Sequence, residues 1–205
     1  DVANALHGVL ALVPVTTCSA LEQLESSTPL PEDPEARALV ERVRGELGRV
    51  SAAIATNQHA EVEVLARELV EQADASGYRP LAAEARFAYG MVLARVGKPR
   101  EADRALEQAI VDAQASGHDE IAGRALVAEV YVVGYQLRDR EGGRRYLRQA
   151  EALLEHLGAP PRALATLARN AGTAEFAAGE LEAAQRLFEQ AIERFAAIDG
   201  PEHYT

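Results

Sequence analysis

The basic run Arg138, Arg140, Arg144, Arg145 and Arg148 is the part of this chain best equipped to grip an anion, because guanidinium forks bind phosphate or carboxylate bidentately. It stands out in a 205-residue chain of net charge -11. The same arginines also fit a structural role, capping the end of one helix and pairing with Glu141, Glu151 and neighbouring acids across a turn. Groupings suited to catalysis do not form. His7, His59, His118, His156 and His203 are scattered, without the i, i+4 pairing around a Glu that a zinc helix requires. No G-x-S-x-G elbow exposes a serine. Asp139 lacks the His and downstream Asn of a kinase catalytic loop, and there is no glycine-rich nucleotide loop and no DFG. Asp119, Glu120, Glu180 and Glu182 flank expected helix starts, where their charge offsets exposed N–H groups and the helix dipole. Cys18 is alone, so neither an internal disulfide nor a C-x-x-C metal knuckle can be built. The reading is of a fragment with no catalytic residue, no metal and no cofactor.

Charge and hydropathy narrow the partners. With 32 acids against 21 bases, the average surface repels a phosphate backbone, so nucleic acid is not an expected partner. The most apolar stretch, residues 2–15, is interrupted by His7 and Pro14 and falls short of the roughly 20 residues a membrane span needs. A reducing cytoplasmic setting suits the single cysteine. The chain opens on Asp1 without a basic leader, which reads as a piece excised from a longer protein.

The elements follow from periodicity. Val2, Leu6, Val9, Leu10 and Val13 share one helical face that stops at Pro14, and a short helix is expected around 19–26. Thr28-Pro29-Leu30-Pro31 forms a stiff linker, so residues 1–32 are a helical cap and linker. Asp33-Pro34-Glu35 then supplies an N-cap, a first-turn proline and an early acid. Helices are predicted over 35–56, 59–76, 79–96, 99–116, 119–137, 141–157, 161–178 and 181–198, forming a second unit over 33–205. At 48% hydrophobic and 5% aromatic, alanine and leucine must carry the packing.

Gly77, Gly117, Gly158 and Gly200 recur 40, 41 and 42 residues apart, each closing a long amphipathic stretch. That is the mark of a repeat protein. Gly90, Gly97, Ala102, Leu106, Ala109 and Ile110 shift by 82 onto Gly172, Gly179, Ala184, Phe188, Ala191 and Ile192. Val50, Asn57, Val62, Ala66, Leu69 and Val70, and Tyr131, Arg138, Gly143, Leu147, Ala150 and Glu151, form degenerate copies. Gly90 and Gly172 are expected to let paired helices approach, with Leu106 and Phe188 filling the gap between pairs. Four pairs result, at about 35–77, 79–117, 119–158 and 161–200.

These offsets resemble the tetratricopeptide repeat, in the long-repeat variety of kinesin light chains and large bacterial regulators. Ile198-Asp199-Gly200-Pro201-Glu202-His203 is similar to the element joining successive long repeats, which implies a further repeat after Thr205. The order of a helix ending in Leu-Val-Pro, a lone Cys, Leu-Pro-Glu-Asp-Pro and then AEVEVLARELVEQADASGYRPLAAEA is similar to the C-terminal repeat domain of myxobacterial Ser/Thr protein kinases. The resemblance implies an all-α, right-handed α-solenoid of antiparallel helix pairs, led by one or two N-terminal helices. It implies that first helices line a concave groove for a protein or peptide. Phe87, Met91, Arg95, Tyr135, Gln136, Arg169, Asn170, Thr173 and Phe176 map onto that face, and aromatic anchors beside an Arg suit binding. Leu47 and Ser51 stand where chaperone-type arrays place the Lys and Asn of a carboxylate clamp, so that mode is not expected. The implied role is a docking region of a bacterial kinase. The alternative is a ligand-sensing or self-associating domain of a transcriptional regulator, with exposed array ends that would allow a homodimer.

Overall fold

The computed structural model describes residues 28–200. The expected lead helices, Cys18, His7, His203 and the Pro201-Glu202-His203 element lie outside them. The described residues are helical, with no strand. In order they are α1 (Pro34–Ala55), a 3₁₀ turn (His59–Val62), α2 (Glu63–Ala75), α3 (Arg79–Arg95), α4 (Pro99–Ser116), α5 (Asp119–Tyr131), a π-helical turn (Val132–Gln136), α6 (Arg140–His156), α7 (Pro161–Ala177) and α8 (Leu181–Asp199). Each helix packs on its neighbours in sequence, and α5 also meets α7 and α3. No described helix is long and apolar enough to cross a membrane.

Local chemistry sets the boundaries. Asp33 caps α1, its carboxylate accepting from the N–H of Ala36 at 2.7 Å, with Pro34 at the first position. Asp139 does the same for α6 through the N–H of Gly142. The second helix of the first unit starts later than the periodicity predicts, because residues 59–62 wind as 3₁₀.

One turn geometry recurs along the backbone. Asn57, Gly97, Arg138 and Gly179 occupy one register position, and all four are left-handed, with φ of 62°, 78°, 61° and 83°. Asn57 tolerates this region, but Arg138 bears a side chain that disfavours it by roughly 1–2 kcal/mol. The turn geometry is therefore imposed by the packed helices around it, not by the local residue alone.

Small residues set how closely helices meet. A Cβ on Gly90 would lie 2.7 Å from Leu106 Cγ, and one on Gly172 would lie 2.9 Å from Phe188 Cδ1. Leu106 and Phe188 thus fill the seam within their own pairs, against the glycine opposite, and not only a gap between pairs. Ala102, Leu106, Ala109, Ala150 and Ala191 are buried along these seams.

The third unit departs from the alignment. α3 and α5 begin 40 residues apart, at Arg79 and Asp119, yet the turns at Gly97 and Arg138 are 41 apart. The π turn absorbs the extra residue. Val130, 1% exposed, is consequently the counterpart of Gly90, and Tyr131 is that of Met91. Close approach moves to Gly134, Gly143 and Ala174: a Cβ on Gly143 would lie 2.7 Å from Gly134 Cα, and one on Gly134 would lie 2.7 Å from Ala174 Cβ.

Alanine scanning of these glycines should rank by what the new methyl meets. Gly143→Ala meets main chain and should cost most, Gly90→Ala meets a buried leucine branch and should cost about 1–3 kcal/mol, and Gly172→Ala meets the edge of a half-buried ring and should cost least. Urea unfolding of the three variants checks this; a reversed order would contradict the seam assignment.

Candidate functional site

The candidate site is a groove of about 590 Å³ bordered by α1, α3 and the start of α5. It forms because Leu47, Gly48 and Ser51 on α1 face Phe87 and Ala88 on α3, while Ile121 and Arg124 close it from α5. Gly48 leaves the α1 wall low, with open space where a Cβ would be.

An ion network forms the polar floor. Arg44 donates to Glu84 through Nη2 at 2.6 Å and Nε at 3.0 Å, a bidentate pair, and Nε2 of His118 lies 3.2 Å from Glu84 Oε1. Burial pushes the Glu84 carboxyl up, but hydrogen bonds to His118 and Arg44 outweigh it and hold it below the usual range. Three units are tied by one carboxylate, since Arg44, Glu84 and His118 belong to α1, α3 and the turn before α5. The rim carries Arg124, half-exposed, with its guanidinium 4.7 Å from the Phe87 ring centre and 3.9 Å from Glu120.

The structure scatters the sequence-predicted site. Phe87 lines the groove, and Met91 is partly buried against the core. Arg95 is exposed. Tyr135 stacks with Tyr131, ring centres 5.2 Å apart, and lies under Arg138. Gln136 and Asn170 hold units together: Gln136 Nε2 donates to the carbonyl of Ala94, and Asn170 Nδ2 to that of Val127, both at 2.9 Å. Asn170, 7% exposed, therefore does not present its side chain to a partner. Arg169 lies over Phe195, and the Thr173 hydroxyl donates back to the Arg169 carbonyl. Phe176 is 59% exposed at the other end of the chain.

The basic run divides among structural partners, which differ from the expected Glu141 and Glu151. Arg140 reaches Glu175 at 3.1 Å and Glu180 at 2.7 Å, and Arg144 reaches Glu175 at 2.8 Å. The hydrogen bond from Arg144, with that from Arg140 and against the cost of burial, holds Glu175 below the usual carboxylate range. Arg138 donates to the carbonyl of Ala177, and Arg145 lies over Tyr146. Arg148 is exposed. No continuous anion cradle results.

Sequence reasoning missed Arg44, His118 and Arg124, although a signal existed: Arg44, Glu84 and Arg124 stand 40 residues apart in alternating sign. It also missed Glu129, 0% exposed one turn before the π turn, with neither carboxyl oxygen hydrogen-bonded within the protein. Burial, followed by the nearby Asp103 and Glu107, pushes it up to about 9. Glu107 accepts instead from the Tyr146 hydroxyl at 3.0 Å. Among the described residues, no cluster of three or more His, Cys, Asp or Glu side chains is arranged to hold a metal ion.

No family model, no curated protein and no solved structure matches this chain.

Glu129 gives the protein a pH signature. The native state keeps this proton between about pH 4.5 and about pH 9 while the unfolded chain loses it, so native stability declines as pH rises through that window. Glu129→Gln should remove that slope, raising stability by roughly 1–3 kcal/mol at pH 7 and by little at pH 4. Denaturation at pH 4, 6 and 8 checks it, and a gain that shrinks with pH would be the wrong sign.

Proposed function

We propose that this chain is a non-catalytic, tetratricopeptide-like scaffold: a right-handed solenoid of antiparallel helix pairs whose groove captures a peptide or protein. The carrying observation is the groove across α1, α3 and α5, with an aromatic–arginine pair at its rim and a self-neutralised ion network at its floor. Antiparallel pairing is supported by contacts at both ends of α3. Gly90, in the second half of α3, lies against Ala102 and Leu106, in the first half of α4, while Ala83, in the first half of α3, clusters with Ala113, late in α4. The shared left-handed turn position supports the repeat.

The groove suits an extended or helical peptide better than a highly charged ligand, since Arg44 and Glu84 already satisfy one another. The parent protein is proposed to be a bacterial Ser/Thr kinase with this array as its docking region, a reading supported by segment order in the sequence alone. A self-associating regulatory domain is the second reading. It is favoured by Phe176, Leu181, Ile192 and Ile198, apolar residues left 36–63% exposed on α7 and α8.

A random peptide library panned on the protein tests the groove. Selected peptides should lose at least tenfold affinity for Gly48→Glu, which fills the groove from open space, and for Arg124→Ala, with melting temperatures unchanged. Peptides that bind both variants as they bind the parent would remove the groove as the capture site.

A further inference from the structure

The groove has a candidate occupant in the same chain. Thr28 and Leu30, the first described residues of the linker, themselves line it. They are fastened there: the Tyr78 hydroxyl lies 3.0 Å from the carbonyl oxygen of Pro29 and 3.3 Å from that of Thr28. The described chain therefore begins at the groove's edge. Arg37 fixes the linker's other end, donating to the carbonyl of Pro31 from Nε and Nη2.

The residues that precede Thr28 in sequence have suitable chemistry. Between Val2 and Val15 the only ionisable side chain is His7, and Val2, Leu6, Val9, Leu10 and Val13 recur at helical spacing. The groove is lined by the partly exposed Phe87 and Leu157 and, beneath them, by the nearly buried Leu47 and Ile121. Its charges at the floor are already paired, so an uncharged apolar segment can cover them without leaving an ion unmatched.

Reach and mass action also agree. The 13 residues from Thr28 back to Val15 can span up to about 45 Å, against about 26 Å for a 17-residue helix such as α3. Tethering raises the local concentration of the segment to the order of millimolar, so a weak contact is enough to keep the groove filled.

We propose that residues 2–15 dock in the α1–α3–α5 groove and act as a resident competitor that a partner must displace. The proposal adds regulation to the scaffold reading and rests on it only for the identity of the displaced binder.

The chain carries its own probe, because Cys18 is the single cysteine and lies beside the segment. A nitroxide attached to Cys18 of the full 205-residue protein should strip most amide intensity from Leu47, Gly48, Phe87 and His118, and spare Gln108 and Gln149 on α4 and α6. In the Leu6→Asp, Val9→Asp double variant the groove signals should return. Undiminished groove signals, broadening confined to other helices, or broadening that persists in the double variant would each overturn the proposal. Library peptides should also bind the double variant at least tenfold more tightly than the parent; equal affinity would show that the segment does not compete. Loss of self-docking with peptide capture intact would leave the scaffold reading standing, and loss of peptide capture with the nitroxide pattern intact would do the reverse.

Discussion

Close contact between helices at small residues is the constraint on which this architecture depends. Where glycine faces leucine or another glycine, as at Gly90 with Leu106 and Gly143 with Gly134, two backbones approach nearer than most side chains permit. Dispersion contacts are then made by backbone and methyl groups, which explains how a chain without tryptophan fills its interior with alanine and leucine. Such thin layers bury little surface singly. Each helix must lean on its neighbours, and the largest buried cluster accordingly runs from Leu93 in α3 to Ala171 in α7.

Because the apolar layers are similar, polar groups fix which layers meet. Glu84 accepts from α1 and is approached from the turn before α5, Glu175 accepts from two arginines of α6, and Gln136 and Asn170 donate to carbonyls in earlier units. Each of these links joins residues 31 to 43 positions apart. A helix slipped by one turn would break the bidentate geometry and strand a partly buried charge, which costs far more than a surface pair contributes. The groove inherits this order, since its floor is one of these seams.

Much of the fold was legible because period and punctuation agree. The glycines at 77, 117 and 158 follow the ends of α2, α4 and α6, and the turn position at 57, 97, 138 and 179 is left-handed throughout. The π turn was not legible: a single inserted residue looks the same in sequence whether a loop or a helix absorbs it, and it displaced Tyr131 by one register step. The site was read less well. Helical phase placed Asn170 and Gln136 on the groove face, but an amide on the first helix of a unit can turn to an earlier unit's carbonyl as readily as outward. Arg44 and Glu84 were passed over because charged residues on amphipathic helices are usually solvated, and only their 40-residue spacing distinguishes them.

The π turn and Glu129 occupy the same stretch of the third unit, and the two features have one physical logic. Widening the helix at Val132–Gln136 aligns Gly134 with Ala174 and Gly143, and so restores contact that the extra residue would otherwise spoil. Upstream of the turn the register remains that of α3, which seats Glu129 wholly inside, near Asp103 and Glu107 of α4 and Tyr146 of α6. A carboxyl there resists ionisation, and Tyr146, raised chiefly by burial and next by Glu129, resists it too. Burial favours the neutral form of both groups, so the seam avoids an enclosed charge at the expense of an unpaired acid. A sequence optimised only for stability would place an aliphatic residue at 129. The carboxyl at 129 leaves two buried oxygens without a hydrogen-bond partner in this seam, a cost that the surrounding apolar packing has to offset.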